Sequence, residues 1–350
     1  MLIAVMKDGA SVKCIGAVLK EIESLGLTPF MSKGDTVTQI GCAATKDHPH
    51  LEEKIAGMDG VERIFSNKRP FRMASREFHP DNSVIQVSGV PVGGPEIVMM
   101  AGPCAVESYE QLQTVSETLL KEKVPMIRGG AFKPRSSPYS FQGLGEQGLE
   151  LLREVRNRTG LKVVTECLKP QDVELVASYT DLIQVGARNM QNFALLQELG
   201  KCRVPVLLKR GMMNSIEEFL MSAEYILASG NLQVILCERG IRTFETATRN
   251  TLDISAVPVL RRLTHLPIII DPSHAAGDRE LVPALSLAAI AAGADGLIVE
   301  IHPEPDKAWS DGPQCLTMPG FSKLMEQCRV VAGAVGRSML AQNGKIPVMV

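Results

Sequence analysis

Four residues far apart in the chain share one kind of chemistry. Cys104, His274, Glu300 and Asp311 offer a thiolate, an imidazole and two carboxylates. That mixture suits one borderline divalent ion such as Mn2+, Fe2+, Zn2+ or Co2+, rather than Mg2+ or Ca2+, which prefer oxygen shells. A lone cysteine is usually a small buried hydrophobe and a lone histidine a satisfied structural one, so the metal reading depends on all four converging in space. A second set is cationic: Arg128, Lys133, Arg188, Lys209 and Arg239. Five cations facing one mouth repel one another strongly at low effective dielectric. They make sense together where a multiply charged anion lies between them, and a small molecule with both phosphate and carboxylate fits, because arginine offers forked donors to each. The plain alternative is a set of internal salt bridges to Glu166, Glu238 and Asp271. A third feature is the segment 129–145, rich in Gly, Pro and Ser. It is longer than a connector needs to be, and Lys133, Arg135 and Ser136 within it are placed to receive a second phosphate.

Something must bring these residues together. From about residue 84, apolar runs recur at 97–101, 125–128, 162–165, 181–185, 205–208, 233–237, 267–270 and 295–299, each followed by an amphipathic helical stretch. Eight such βα repeats are the count of a closed (β/α)8 barrel, an α/β fold of ~250 residues whose chemistry sits at the carboxyl ends of its strands. Those ends carry Cys104, Arg128, Glu166, Arg188, Lys209, Arg239, His274 (after Asp271) and Glu300. Closure makes the first, seventh and eighth strands neighbours, so Cys104, His274 and Glu300 meet at one corner. Asp311, on the loop after the eighth strand, reaches the same place. An open doubly wound sheet would show a glycine-rich dinucleotide turn after its first strand, and Gly102-Pro103-Cys104 is not one. Residues 83–92 read as a hairpin that plugs the barrel floor.

The first 66 residues have a different texture. A strand at 2–6 precedes a helix that Ser11 caps and Gly26 stops, with Ile15, Val18, Leu19, Ile22 and Leu25 on one face. Lys33-Gly34-Asp35 reads as a tight turn between strands at 28–32 and 36–42. A short helix at 50–58 and a strand at 61–65 complete the order βαββαβ, the ferredoxin-like split unit. The expected division is therefore a small ferredoxin-like α+β domain at 1–66, a linker at 67–83, the barrel at 84–340 and a tail at 341–350. With 45% hydrophobic and 22% charged residues and a net charge of -2, the chain is ordinary for a globular protein and has no basic run to hold nucleic acid. No stretch reaches the ~20 apolar residues of a membrane span, and no signal peptide is apparent. Eight cysteines without framework spacing point to free thiols in a reducing compartment, the cytoplasm.

The motifs themselves carry a resemblance. AGPCAVES at 101–108, IRGGAFKPRSS at 127–137, GARN at 186–189, LKRG at 208–211, CERG at 237–240, DPSH at 271–274, IVEIH at 298–302 and SDG at 310–312 together resemble the 3-deoxy-D-arabino-heptulosonate 7-phosphate (DAHP) synthases. The class is the one whose barrel is similar to that of the 3-deoxy-octulosonate 8-phosphate synthases. The resemblance implies condensation of phosphoenolpyruvate with erythrose 4-phosphate, with release of phosphate, as the first step of the shikimate pathway to chorismate and the aromatic amino acids. It puts Cys104, His274, Glu300 and Asp311 on the metal. Arg128, Lys133, Arg188, Lys209 and Arg239 would hold phosphoenolpyruvate, while Lys133, Arg135 and Ser136 would face the aldose phosphate. Lys133 would donate a proton to the developing alkoxide, and Glu166 or a metal-bound water would manage the proton of the attacking water.

The same resemblance makes residues 1–66 a regulatory domain that responds to an aromatic amino acid, tyrosine or phenylalanine, as feedback inhibition. The edges of that module suggest self-association, and a homotetramer is expected. Cys315 is a second thiol near the metal corner, read as packing in preference to a disulfide with Cys104. Two rivals stand beside the main reading. One is the octulosonate synthase, whose pentose substrate is arabinose 5-phosphate and which resembles Lys-Ala-Asn-Arg where this chain has Lys133-Pro134-Arg135-Ser136. The other is an amino-acid sensor whose barrel has lost catalysis.

Overall fold

The computed structural model describes residues 2–33, 38–42, 50–66, 70–134, 137 and 139–342. Contacts divide the chain into two units: residues 1–82 with 262–265, and residues 83–261 with 266–350.

The first unit is built on a four-stranded antiparallel sheet of β1 (Leu2–Met6), β2 (Pro29–Lys33), β3 (Thr38–Cys42) and β4 (Val61–Ser66), in the order β2-β3-β1-β4. β1 runs through the middle with all five residues buried, opposite Cys42 to Gln39 on one side and Ser66 to Val61 on the other. Helix α1 (Val12–Ser24) starts where the Ser11 side chain accepts the Cys14 N–H, and Gly26 follows its end with φ +72°. Val18 and Ile22 of α1 pack with Leu51 and Ile55 of the short α2 (Leu51–Ala56) onto Leu2, Ala4, Met6 and Ile40. This is the βαββαβ order expected from the alternating periods. The turn at Lys33-Gly34-Asp35 falls outside the described residues. Residues 71–82 bury Phe71, Met73, Ala74 and Phe78.

The second unit opens with a hairpin of β5 (Ile85–Val87) and β6 (Val90–Val92), whose tip turns through Ser88 and Gly89 at φ 47° and 90°. A closed barrel follows. Its strands are β7 (Glu96–Gly102), β8 (Met126–Arg128), β9 (Lys162–Glu166), β10 (Leu182–Val185), β11 (Val206–Lys209), β12 (Val234–Glu238), β13 (Ile268–Ile270) and β14 (Gly296–Glu300). All pair in parallel with their neighbours, and β14 closes on β7 with Gly296 opposite Val98 and Glu300 opposite Gly102. Ile85, Val87, Val90 and Val92 of the hairpin pack with inward residues of every barrel strand, among them Val98, Met126, Leu182 and Ile235. Ser88 Oγ donates to Asp181, just before β10 begins, which places the hairpin at the floor.

Each strand feeds a helix on the outside: α3 (Tyr109–Lys121), α4 (Glu146–Thr159), α5 (Val173–Tyr179), α6 (Phe193–Lys201), α7 (Ile216–Ala228), α8 (Ala256–Leu263), the pair α9 (Pro272–Ala276) and α10 (Val282–Ala291), and α11 (Met318–Ala334). Local chemistry sets the starts: Ser108, Asn192, Ser215 with Glu218, and Thr317 cap α3, α6, α7 and α11. A two-residue strand β15 (Ser338–Met339) returns beside the start of β7. The apolar runs lead to the right strands, but β7, β9, β11, β12 and β14 each end one residue later than expected. Glu166, Lys209 and Glu300 thus sit on the strands themselves, held by the ladder rather than by a loop.

Candidate active site

The closure of β14 on β7 decides the site. Glu300 lies opposite Gly102, and two residues on from Gly102 stands Cys104. The ligand atoms of Cys104, Glu300 and Asp311 fall within 4.8 Å of one another. The Cys104 sulfur is 3.2 Å from Asp311 Oδ2, 3.0 Å from Lys133 Nζ and 3.1 Å from Ser310 Oγ. His274, on the single-turn α9, donates Nδ1 to Asp271 Oδ2 at 2.7 Å, which turns Nε2 toward Glu300 Oε1 at 3.5 Å. An imidazole fixed by a carboxylate on one nitrogen presents a lone pair on the other, the arrangement usual for a metal-binding histidine.

The donor set fits a cation. Burial, then the Glu300 charge, pushes the Cys104 thiol up to about 12, while Lys133 pulls the other way. The thiol therefore donates to Asp311, and a thiolate 3.2 Å from that carboxylate would be repelled unless a cation stood between them. Burial also raises Asp311, but the facing Arg249 and then His274 overcome it and bring the carboxyl to about 2. Glu300 behaves alike: burial raises it, and His274 and Arg128 lower it below the usual range. Two ionised carboxylates, an imidazole and a thiol that a metal would deprotonate are what a divalent ion of intermediate softness binds.

Beside this corner opens a cavity of about 300 Å3. Lys133, Glu166, Arg188, Lys209, Arg239, Arg249, His274 and Asp311 all line it. Two cations of the expected set are already paired. Lys209 Nζ lies 2.5 Å from Asp271 Oδ2, and Arg128 Nη1 donates to Glu300 Oε1 at 2.7 Å and to the Pro103 carbonyl. Arg128 is turned to Glu300 and is not on the cavity wall. The other three differ: no ion pair joins Lys133, Arg188 or Arg239 to a carboxylate among the described residues. Arg239 is only 5% exposed, its Nη1 has no partner among the described residues, and burial pushes its guanidinium down. Arg239 Nη2 donates to the His274 carbonyl at 3.3 Å, but no carboxylate pairs with the guanidinium among the described residues, so this buried cation suits the cavity wall to an anion. The salt-bridge alternative thus accounts for Lys209 and Asp271, while Glu238 pairs with Arg210 instead.

Room for these side chains is made by glycine. A Cβ at Gly130 would come within 3.1 Å of Lys133 Nζ, and one at Gly186 would sit 2.0 Å from Glu166 Oε1. Glu166 Oε2 accepts from Gln184 Nε2 at 3.1 Å, which aims the carboxylate along the wall. Arg135 and Ser136 fall outside the described residues. Cys315 is a buried free thiol donating to the Asp311 carbonyl at 3.4 Å.

Sequence reasoning missed three residues here. Arg249 lies on the long loop after β12 and touches both Asp311 Oδ1 at 3.2 Å and Gln314 Oε1 at 2.9 Å. Gln314 Nε2 donates to Glu300 Oε2 at 2.6 Å. Ser310 reaches the Cys104 sulfur. None stands at a strand end; Ser310 falls in the SDG motif at 310–312, while nothing in the type or spacing of Arg249 and Gln314 marks them.

Comparison with known proteins shows the family of the chain. Residues 81–332 match the DAHP synthetase I family, and residues 1–66 match the DAHP synthase ferredoxin-like domain. The chain is 52% identical over 335 residues to phospho-2-dehydro-3-deoxyheptonate aldolase of Thermotoga maritima, covering 96% of this chain and 99% of that one. A crystal structure of that aldolase, described as a DAHP synthase, superposes with a TM-score of 0.77 at 50% identity over 97% of this chain and 99% of its own. More distant is 2-dehydro-3-deoxyphosphooctonate aldolase of Methylococcus capsulatus, 33% identical over 263 residues, 69% of this chain and 91% of that protein.

Proposed function

We infer the function of this chain from the premise that it belongs to the DAHP synthetase I family, with a ferredoxin-like domain at its N-terminus. It is a carbon–carbon bond-forming enzyme of the transferase type that condenses phosphoenolpyruvate with D-erythrose 4-phosphate to DAHP and phosphate, on the route to chorismate and the aromatic amino acids. The observation that carries this reading is the cavity wall. There Lys133, Arg188 and Arg239 face a space bordered by His274 and Asp311, with no carboxylate paired to them among the described residues.

Cys104, His274, Glu300 and Asp311 would hold one divalent ion, with Mn2+, Fe2+, Zn2+ and Co2+ as the candidates. When bound, it supplies Lewis-acid polarisation of the aldehyde carbonyl. The rest falls to the protein. Arg188, Lys209 and Arg239 grip the phosphate and carboxylate of phosphoenolpyruvate and hold its C3 toward the aldehyde. Arg128 and Lys133 belong to the same proposed set, and in this structure Arg128 Nη1 also donates to Glu300 Oε1. Arg135 and Ser136 would receive the aldose phosphate. Lys133, whose ammonium contacts the Cys104 carbonyl and sulfur, would give a proton to the oxygen of the former aldehyde. Glu166 would take the proton of the water that adds at C2, after which the phosphohemiketal loses phosphate.

Phosphate release measured with erythrose 4-phosphate and with arabinose 5-phosphate tests the substrate. Preference for the pentose would replace this reading with the octulosonate synthase. Chelation followed by metal return tests the centre: activity should vanish and come back with one or more of the four ions, and no recovery would favour a non-catalytic sensor. Tyrosine or phenylalanine binding at residues 1–66, a homotetramer and a cytoplasmic location belong to the same proposal. Among the described residues, no helix is long and apolar enough to cross a membrane.

A further inference from the structure

The turn that carries Asp311 brings more than Asp311 to the site. Trp309 N donates to Glu107 Oε1 at 2.8 Å, which pins the turn to the loop after β7. Asp311 then adopts φ +53°, a left-handed conformation that aspartate tolerates, and the chain tightens through Gly312–Gln314. The loop returns along the end of β14, with Leu316 N on the Glu300 carbonyl at 2.9 Å. Three side chains from this one turn reach inward. Asp311 is the candidate ligand. Ser310, 5% exposed, brings Oγ to 3.1 Å from the Cys104 sulfur. Gln314, 2% exposed, donates Nε2 to Glu300 Oε2 and accepts from Arg249 through Oε1, so the network fixes which way its amide points.

We propose that Ser310 and Gln314 are positioning residues of the metal centre, Ser310 holding the Cys104 sulfur and Gln314 the Glu300 carboxylate, so that one turn sets the orientation of two ligands it does not contain. The proposal rests on the ligand assignment above. With Cys104 as a thiol, either atom of the Ser310 contact can donate. Once the sulfur is a thiolate, only the hydroxyl can, and the bond becomes charge-assisted. A hydrogen bond to a thiolate withdraws electron density and lowers the energy of its lone pairs. Gln314 acts differently. Glu300 Oε1 faces Arg128 and His274, while Oε2 has Gln314 as its donor. Without that amide the carboxylate can rotate, and a buried oxygen loses its donor.

The test is Co2+ titration of the metal-stripped full-length protein, following the sulfur-to-cobalt charge-transfer absorption and the Kd. Ser310→Ala should move the band to longer wavelength and weaken binding about tenfold, and Ser310→Thr should restore both. Gln314→Leu should leave the band where it is and weaken binding roughly 10–100-fold. Should that variant fail to fold, Gln314→Met makes the same comparison with a side chain of matching length. A Ser310→Ala protein with the wild-type band and Kd, or a Gln314 variant with the wild-type Kd, overturns the inference while leaving the ligands intact. No charge-transfer band in the wild-type protein overturns the ligand assignment itself, and the inference with it.

Discussion

Replacing Asp271 with asparagine removes the one anion that two parts of the site share. Asp271 is 1% exposed and accepts from Lys209 Nζ at 2.5 Å, from His274 Nδ1 at 2.7 Å and from the His274 backbone N–H at 2.9 Å. At 2.5 Å the Lys209 charge pair alone is worth about 6–7 kcal/mol of Coulomb energy at an effective dielectric of ~20, most of it offset by desolvation. Stranding one partner of a buried pair costs roughly 3–5 kcal/mol, a fall in Tm of about 6–20 °C for a domain of this size. Asparagine keeps the shape but can accept through only one atom, so its NH2 must face either the His274 backbone N–H or the Oδ2 place that Lys209 Nζ and His274 Nδ1 share. A neutral amide oxygen also holds the imidazole N–H less firmly than a carboxylate does, so in either orientation metal affinity should drop, roughly 10–100-fold where the ring loses its acceptor. Burial raises the Asp271 carboxyl, but His274 and Lys209 outweigh it and hold it well below the usual range. A depressed value means that the pair's stabilisation is complete at neutral pH and is lost as pH falls toward the folded value. The gap in Tm between wild type and Asp271→Asn should therefore narrow below about pH 4. Differential scanning calorimetry and metal titration read the two effects. Phosphoenolpyruvate should return part of the lost Tm by supplying Lys209 with another anion. A variant with wild-type Tm and wild-type metal affinity would refute the reasoning, since Asp271 would then be holding neither partner.

Four further outcomes follow from the same geometry. Arg239→Met should raise the KM for phosphoenolpyruvate at least ~10-fold yet leave Tm little changed, because it removes a buried charge that no carboxylate pairs among the described residues and only one hydrogen bond, to the His274 carbonyl; a marked loss of Tm with normal KM would make Arg239 structural. Metal uptake should release about one proton from Cys104, so apparent affinity should rise up to about tenfold per pH unit below the thiol's value of about 12; calorimetry in buffers of different ionisation enthalpy counts that proton, and a count of zero would remove Cys104 from the ligands. Lys133→Met should lower turnover about 10^2–10^4-fold, and near-normal turnover with intact substrate binding would end its proton-donor role. Deleting residues 1–66 should abolish inhibition by tyrosine or phenylalanine in steady-state assays, and unchanged inhibition by both would end the regulatory assignment.

The sequence by itself determined the periodic features and the chemistry at their ends. Alternating runs and a cap such as Ser11 are local, because a strand or helix start depends on a few neighbouring residues. The βαββαβ unit and the eight barrel strands were legible for that reason, as was the sequence position of Cys104, His274 and Glu300. Their meeting was legible only through the closure rule of the barrel, which makes strands one, seven and eight adjacent. Tertiary structure decided which cations are paired and which face the cavity. Arg128 and Arg239 both stand at strand ends and look alike as sequence. Yet one is bonded to Glu300, and the other lines the cavity with no carboxylate paired to it among the described residues. Pairing depends on where long side chains point across a barrel mouth, and no spacing along the chain encodes that direction. The same holds for Arg249, Ser310 and Gln314, which hold ligands from loops. Loop paths are set by contacts with distant residues such as Glu107 and Ala276, so their side chains gain a role only once the barrel has closed.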